Sequence, residues 1–121
     1  MATIFIVEDD PSLQLLFEKV LVSAGFRVIG IASNGEEAIS MYKAFLEKPK
    51  VILMDHRMPI KTGLDAAIEI LKMNYDTKII FTTGDKSIKE KAISIGAAEF
   101  MEKPFTISHL IDKIKEVLDN T

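Results

Sequence analysis

Val51-Ile52-Leu53-Met54-Asp55-His56-Arg57-Met58-Pro59 is the stretch that decides how this chain is read. Four apolar residues run unbroken into one aspartate, and a turn-forming segment closed by Pro59 follows. A short, continuous apolar run bounded by breakers is the pattern of a strand buried on both faces, as in a parallel sheet. Asp55 then stands where that strand leaves the core. Open α/β sheets place their ligand crevice there, at the carboxyl ends of the strands.

The pattern repeats outward in both directions. Ile4-Phe5-Ile6-Val7 is a second buried strand, ending in Glu8-Asp9-Asp10 ahead of Pro11. Asp10 is suited to cap a helix whose first residue is Pro11. Leu13, Leu16, Phe17, Val20, Leu21 and Ala24 recur at helical spacing along one face, and Gly25 stops the helix as a left-handed cap. Phe26 to Ala32 reads as a strand, and Asn34 with Glu37 opens a helix whose buried side carries Ala38, Tyr42 and Phe45. Beyond Asp55, Thr62 caps a helix with Leu64, Ala67, Ile68 and Leu71 inward, and Lys78 to Thr82 forms a strand that Thr83-Gly84-Asp85 leaves. Ser87 and Glu90 resemble a capping box for a helix with a weak apolar face, Ile88, Ala92 and Ile95, ending at Gly96. A face that weak suggests a helix loosely held or covering a partner. Ala98 to Met101 is a short strand, followed by Glu102-Lys103-Pro104 and a helix carrying Ile107, Leu110, Ile111, Ile114, Val117 and Leu118.

Strands alternating with helices imply a parallel sheet with helices on both faces and right-handed crossovers. The expected fold is α/β: a flavodoxin-like three-layer sandwich, with a five-stranded sheet in the order 2-1-3-4-5 and five helices. At 121 residues the chain has room for one domain with one core, spanning 1–121. Apolar residues make up 48% and charged residues 27%, an ordinary globular composition. Cysteine is absent, which rules out disulfides and thiolate metal sites and fits a reducing compartment, with the cytoplasm as the expectation. No apolar run approaches the ~20 residues of a membrane span, and the N-terminus lacks a secretory signal. The net charge is −3 with no Lys/Arg-rich stretch, so neither direct nucleic-acid binding nor membrane association is expected.

In such a sheet the polar residues at the strand ends converge. Strand one supplies Glu8 and Asp9, strand three Asp55, strand four Thr83 and strand five Lys103. Carboxylates gathered in one crevice repel, and a divalent cation relieves the repulsion. Oxygen donors without His or Cys select a hard ion, Mg²⁺, which recruits phosphate oxygens. Asp55 beside it is a candidate nucleophile toward phosphorus, with Lys103, the Thr83 hydroxyl and backbone N–H groups near Arg57 and Gly84 to meet charge on the phosphoryl oxygens. Each residue has a plainer reading alone. Glu8, Asp9 and Asp10 suit a helix N-terminus, Thr83 a turn, Lys103 a solvated surface, and His56 and His109 a loop and an exposed helix. The joint pattern, in order and at the correct ends of the strands, overrides them.

At this point the whole chain resembles a response-regulator receiver domain of two-component signalling, of the stand-alone chemotaxis-regulator kind. The motifs are Ile6-Val7-Glu8-Asp9-Asp10, Met54-Asp55 with Met58-Pro59 and Gly63, Thr83-Gly84, and Lys103-Pro104-Phe105. The resemblance implies that Asp55 is phosphorylated by a sensor histidine kinase or a histidine phosphotransfer protein, with the domain catalysing only its own phosphorylation and dephosphorylation. It implies Mg²⁺ held directly by Asp9, Asp55 and the backbone carbonyl of Arg57, with Glu8 acting through a metal-bound water. Thr83 would contact the phosphoryl group and Lys103 would pair with it. Thr83 and Phe100 would form a switch that alters helix 4, strand 5 and helix 5 for a downstream protein target. Arg57 and Asp85 would flank the approach of hydrolytic water and tune the phosphoryl lifetime. The bond before Pro104 is expected to be cis. Glu8 stands where many members carry Asp, and Gly84 where Ala is frequent. With nothing after Asn120-Thr121, the chain reads as a stand-alone receiver, a phosphorelay intermediate or an excised fragment.

The alternative is a metal-dependent aspartyl-phosphate phosphatase. Haloacid-dehalogenase-type enzymes need a second Asp two residues after the nucleophile, and Arg57 is there. A flavin module on the same fold would want a phosphate-cradling loop after strand one, where Glu8-Asp9-Asp10 would repel a phosphate. A degenerate receiver serving only as an interaction domain would not need the intact Asp9, Asp55, Thr83 and Lys103.

Overall fold

The computed structural model describes residues 1–120. Its elements alternate without exception: β1 (Thr3–Val7), α1 (Pro11–Ser23), β2 (Arg27–Ala32), α2 (Gly35–Ala44), β3 (Val51–Met54), α3 (Gly63–Lys72), β4 (Lys78–Thr83), a 3-10 turn (Lys86–Ile88), α4 (Lys89–Ser94), β5 (Glu99–Glu102) and α5 (Ile107–Asp119). The five strands pair in parallel in the order β2-β1-β3-β4-β5, as expected.

Side chains of a strand alternate between faces, and here both faces are apolar. Phe5, Val7, Ile52, Met54, Ile79 and Phe81 join one buried cluster with residues of α2, α3 and α4. Ile4, Ile6, Val51, Leu53 and Ile80 join the other, with Phe17 and Leu21 of α1 and Leu110, Ile114 and Val117 of α5. The central strands are thus enclosed along their length, and polar groups gather at their ends. Registers Val7↔Met54 and Met54↔Phe81 bring the ends of β1, β3 and β4 level, and Thr83↔Glu102 adds β5.

Caps set the helix starts. Ser12 N donates to Asp10 Oδ1 at 2.8 Å with Pro11 at the first helical position, Asp65 N to Thr62 Oγ1 at 3.2 Å, and His109 N to Thr106 Oγ1 at 3.1 Å. Asn34 Oδ1 accepts from Glu37 N at 2.8 Å, but Glu37 reaches back to Ser33 N at 2.8 Å, one residue beyond the reciprocal bond expected. Gly25 ends α1 at φ 93°, a left-handed conformation that costs a glycine nothing. The bond between Lys103 and Pro104 is cis.

Two readings are corrected. Ser87 caps nothing: Asp85 accepts from Ser87 N at 3.1 Å and starts a 3-10 turn ahead of a short α4. The acid two residues upstream offered a closer acceptor. Leu16, assigned to the inner face of α1, is 42% exposed, and Ala24 is exposed too. The inner stripe of α1 narrows to Phe17 and Leu21, which leaves Leu16 on the rim of a groove. The weak apolar face expected of α4 is found as such: Ala92 is buried, and Ile88 and Ile95 are partly covered.

Candidate functional site

Each polar residue at the strand ends is held by backbone that continues the sheet. Glu8 N donates to Ala32 O at 2.9 Å, one residue past β1, which draws the Glu8 side chain to 1% exposure. Asp55 N donates to Val7 O at 2.9 Å, and Asp55 is 6% exposed. The chain then turns over itself: Gly63 N donates to His56 O at 2.9 Å. A Cβ at Gly63 would stand 1.8 Å from the carbonyl oxygen of Asp55, so only glycine admits this approach.

Carboxylate oxygens of Glu8, Asp9 and Asp55 lie within 4.8 Å of one another, with Asp9 exposed and the other two buried. Lys103 Nζ lies 2.6 Å from Glu8 Oε1 and 3.8 Å from Asp55 Oδ2. Lys103 is itself placed by its N–H, which donates to Thr83 O at 2.8 Å. Further donors are backbone groups: His56 N to Asp55 Oδ1 at 2.8 Å and Asp10 N to Glu8 Oε2 at 3.2 Å.

Burial dominates the electrostatics. It pushes the Glu8 carboxyl up to about 7, against the opposing hydrogen bond from Lys103 and reinforced by the neighbouring Asp55. Burial also raises Asp55, against the charge of Lys103. One ammonium does not compensate three carboxylates: fully ionised, the group carries −3 + 1 = −2. An all-oxygen donor set with two uncompensated negative charges fits a hard divalent cation. Glu8, the residue assigned to a metal-bound water, is here the most buried of the three and bonded directly to Lys103.

Thr83 is buried at the end of β4, and its Oγ1 accepts from Asp85 N at 3.2 Å. Asp85 joins two neighbours. Its Oδ1 accepts from Ser87 N and from the Ser87 hydroxyl, and its Oδ2 pairs with Arg57 Nη2 at 3.0 Å. The Ser87 hydroxyl is the main cause holding the Asp85 carboxyl below its ordinary value. Arg57 and Asp85, the two residues assigned to the water's approach, therefore meet. Phe100 is only 9% exposed and belongs to the cluster containing Met58, Phe81, Ala92 and Ala97. The ring expected to turn inward is inward already. His109 is exposed, whereas His56 accepts from Leu64 N at 3.3 Å through Nδ1 and so braces the start of α3.

Two contributors escaped the sequence reading. Gln14 on α1 donates through Nε2 to the Glu8 carbonyl at 2.5 Å and to Ser33 Oγ at 3.1 Å, tying the acidic loop to the end of β2. Lys61 pairs with Glu69 of α3 at 2.5 Å and Glu36 of α2 at 3.7 Å. Neither contact has a local signal, because each spans elements that only the tertiary fold brings together.

Comparison with known proteins agrees with this geometry. The model of the response regulator receiver domain family matches residues 4–115. The chemotaxis protein CheY of Thermotoga maritima is 34% identical over 116 residues, covering 94% of this chain and 95% of that protein. The transcriptional regulatory protein PdtaR of Mycobacterium tuberculosis is 33% identical over 113 residues, 93% of this chain but 54% of that protein, so the chain spans about half its length. Among solved structures, a CheY-like receiver domain protein from Methanospirillum hungatei superposes with a TM-score of 0.91 at 27% identity, covering 99% of this chain and 95% of that one. The response regulator TrrA from Thermotoga maritima, solved in complex with Mg²⁺ and BeF, gives 0.86 at 31% identity, covering 97% and 99%.

Proposed function

The chain belongs to the response regulator receiver family of two-component signalling, and we propose that Asp55 is its phosphoacceptor, with Asp9, Asp55 and the Arg57 carbonyl holding Mg²⁺ and Glu8 contributing through a bound water. It is a signalling domain rather than a classical enzyme. The observation that carries the reading is the convergence of Glu8, Asp9 and Asp55 on one point, with Lys103 reaching both buried carboxylates.

Chemically, a carboxylate oxygen of Asp55 bonds to phosphorus as the bond from phosphorus to the donor's imidazole nitrogen breaks, and the electron pair of that bond leaves with the nitrogen. When bound, the cation neutralises charge on the phosphoryl oxygens and on the carboxylates that surround them. The protein's own part is positional. The His56 N–H fixes one oxygen of Asp55 and leaves the other, 3.8 Å from Lys103, free to attack. Lys103 pairs with the phosphoryl group, and the Thr83 hydroxyl, whose oxygen accepts from Asp85 N, donates its O–H to it. Phe100 occupies an inward packing, so phosphorylation acts by stabilising that packing and, with it, the surface of α4, β5 and α5 that a downstream protein reads.

The phosphodonor is a sensor histidine kinase or a histidine phosphotransfer protein. A groove of about 240 Å³ supports a protein partner near the site: Leu13, Leu16, Phe17, Phe105 and Ile107 line it beside Lys103. Among the described residues no helix is long and apolar enough to cross a membrane. The net charge of −3 supports action without direct nucleic-acid contact, and the absence of cysteine a reducing compartment such as the cytoplasm.

The test is mass measurement of the intact protein after incubation with Mg²⁺ and acetyl phosphate. One acid-labile phosphoryl adduct is expected, absent in Asp55→Asn. Equal labelling of that variant would overturn the assignment.

A further inference from the structure

The loop from His56 to Thr62 carries a backbone outlier that the phosphoacceptor chemistry does not use. Lys61 N donates to Pro59 O at 2.8 Å, and Ile60 between them has φ 71°. This is a γ-turn of the rare positive-φ kind, with a β-branched residue at its centre, an arrangement that is strained. Burial does not offset the strain, because Ile60 is 81% exposed. Strain of this kind persists only where the surroundings hold it, and it gathers at functional sites.

Lys61 supplies the hold. Its carbonyl accepts from Gly35 N at 3.0 Å at the start of α2, and its ammonium pairs with Glu69 of α3 and Glu36 of α2. We propose that Lys61 is a positioning residue for the phosphoacceptor site: a latch that keeps the Ile60 turn wound and so sets the backbone of Arg57, whose carbonyl is a metal ligand on the reading of the preceding subsection.

Loop closure carries the connection from Lys61 to Arg57. The base is shut by Gly63 N to His56 O, and Thr62 is fixed as the cap of α3. Pro59 has its φ locked by its ring. A closed loop cannot relax at one dihedral alone, so unwinding Ile60 must be absorbed at the remaining soft positions: Arg57, Met58 and Lys61. Met58 is buried in the α2–α4 side of the core and yields reluctantly. Arg57, held by an ion pair to Asp85 at its exposed side chain rather than by burial, takes up much of the change.

The test is a Mg²⁺ titration, with the metal alone as probe, followed by backbone amide shifts of residues 56–62 and of Asp9. Lys61→Met should weaken Mg²⁺ binding about tenfold, the lower end of what outer partners of metal ligands contribute. Lys61→Arg should restore most of it. Simple electrostatics gives the opposite sign, since removing a positive charge near an acidic site should tighten cation binding. Ile60→Asn, which tolerates positive φ, should reduce the effect of Lys61→Met to under about threefold, because the turn then needs no latch. Tighter or unchanged Mg²⁺ binding in Lys61→Met, or an undiminished loss in the double variant, overturns the latch. Wild-type protein that binds no Mg²⁺ instead overturns the reading of the site itself.

Discussion

Replacing Glu8 by Gln isolates the electrostatic cost of burying its carboxyl. Glu8 is 1% exposed, and its carboxyl is raised from 4.5 to about 7 by burial. The folded state therefore holds a proton that the unfolded chain has released between those values. The sign follows: this contribution to stability is fully present below about 4.5 and is lost as pH rises through about 7. A rise from 4.5 to about 7 corresponds to about 3.5 kcal/mol at most, since a tenfold change in a protonation equilibrium is about 1.4 kcal/mol. Gln resembles the protonated form and keeps an oxygen for Lys103. The metal-free Glu8→Gln variant should match wild type near pH 4.5 and exceed it by about 1–3 kcal/mol at pH 8, roughly 4 °C in Tm per kcal/mol for a chain of this size. Urea denaturation in EDTA from pH 4.5 to 8, with the variant's curve subtracted, reads the Glu8 contribution directly. A difference that is flat, or that favours wild type as pH rises, would refute the idea that burial outweighs the Lys103 bond.

Asp9→Ala should weaken Mg²⁺ binding more than Glu8→Ala or Asp10→Ala, because Asp10 is committed to capping α1 and Glu8 to Lys103; a titration in which Asp10→Ala does the greater damage would contradict the ligand set. Arg57→Ala should shorten the phosphoryl lifetime about tenfold, equivalent to ~1.4 kcal/mol of barrier, while changing folding stability by under about 1 kcal/mol, as expected of an exposed pair. Asp85→Ala should act in the same direction and less than additively, since Asp85 holds Arg57 through Oδ2 and is itself held by Ser87 through Oδ1; decay of the phosphorylated single and double variants decides, and a longer lifetime in Asp85→Ala would be decisive against a lid. Beryllofluoride with Mg²⁺ should shift amides between Thr83 and Leu118 as well as around Asp55, and shifts confined to the Asp55 loop would count against a switch.

What could be read from the sequence was whatever depends on period and position. Val51 to Met54 is apolar at every residue because its strand is covered on both faces, and that pattern carried the sheet, its parallel sense and the place of Asp55. The caps at Asp10, Asn34 and Thr62, and the stop at Gly25, were equally local. Where two local signals competed, reading failed: Asp85 caps the 3-10 turn through Ser87 N, and the Ser87 hydroxyl donates to Asp85 instead of capping α4. The convergence of Glu8, Asp9, Asp55 and Lys103 was accessible because all four sit at strand ends. Their bonding was not. Glu8 bonds a lysine 95 residues away, Gln14 reaches a carbonyl across the loop, and Lys61 joins two helices. Each needs side-chain reach between elements whose separation no spacing encodes. The Arg57–Asp85 pair lay between these cases, legible from family geometry and from opposite charge.

One ammonium serves two acids, and this ties the site's parts together. Lys103 stands 2.6 Å from Glu8 and 3.8 Å from Asp55, so its stronger bond is to the residue that is not the acceptor. A phosphoryl group on Asp55 carries more negative charge than the carboxylate it replaces and draws Lys103 toward it. Glu8 then loses the hydrogen bond that opposes its burial and must take up a proton or share a cation. Lys103→Met should therefore raise the Glu8 carboxyl further, because removing Lys103 strips away its chief lowering influence and leaves the Asp10 N–H alone to oppose burial and Asp55. Carboxyl carbon shifts of Glu8 followed by NMR against pH measure this directly in the metal-free protein. A Glu8 titration unmoved by the substitution would show that Lys103 bonds Glu8 too weakly to be the group whose departure couples phosphorylation to the acidic cluster.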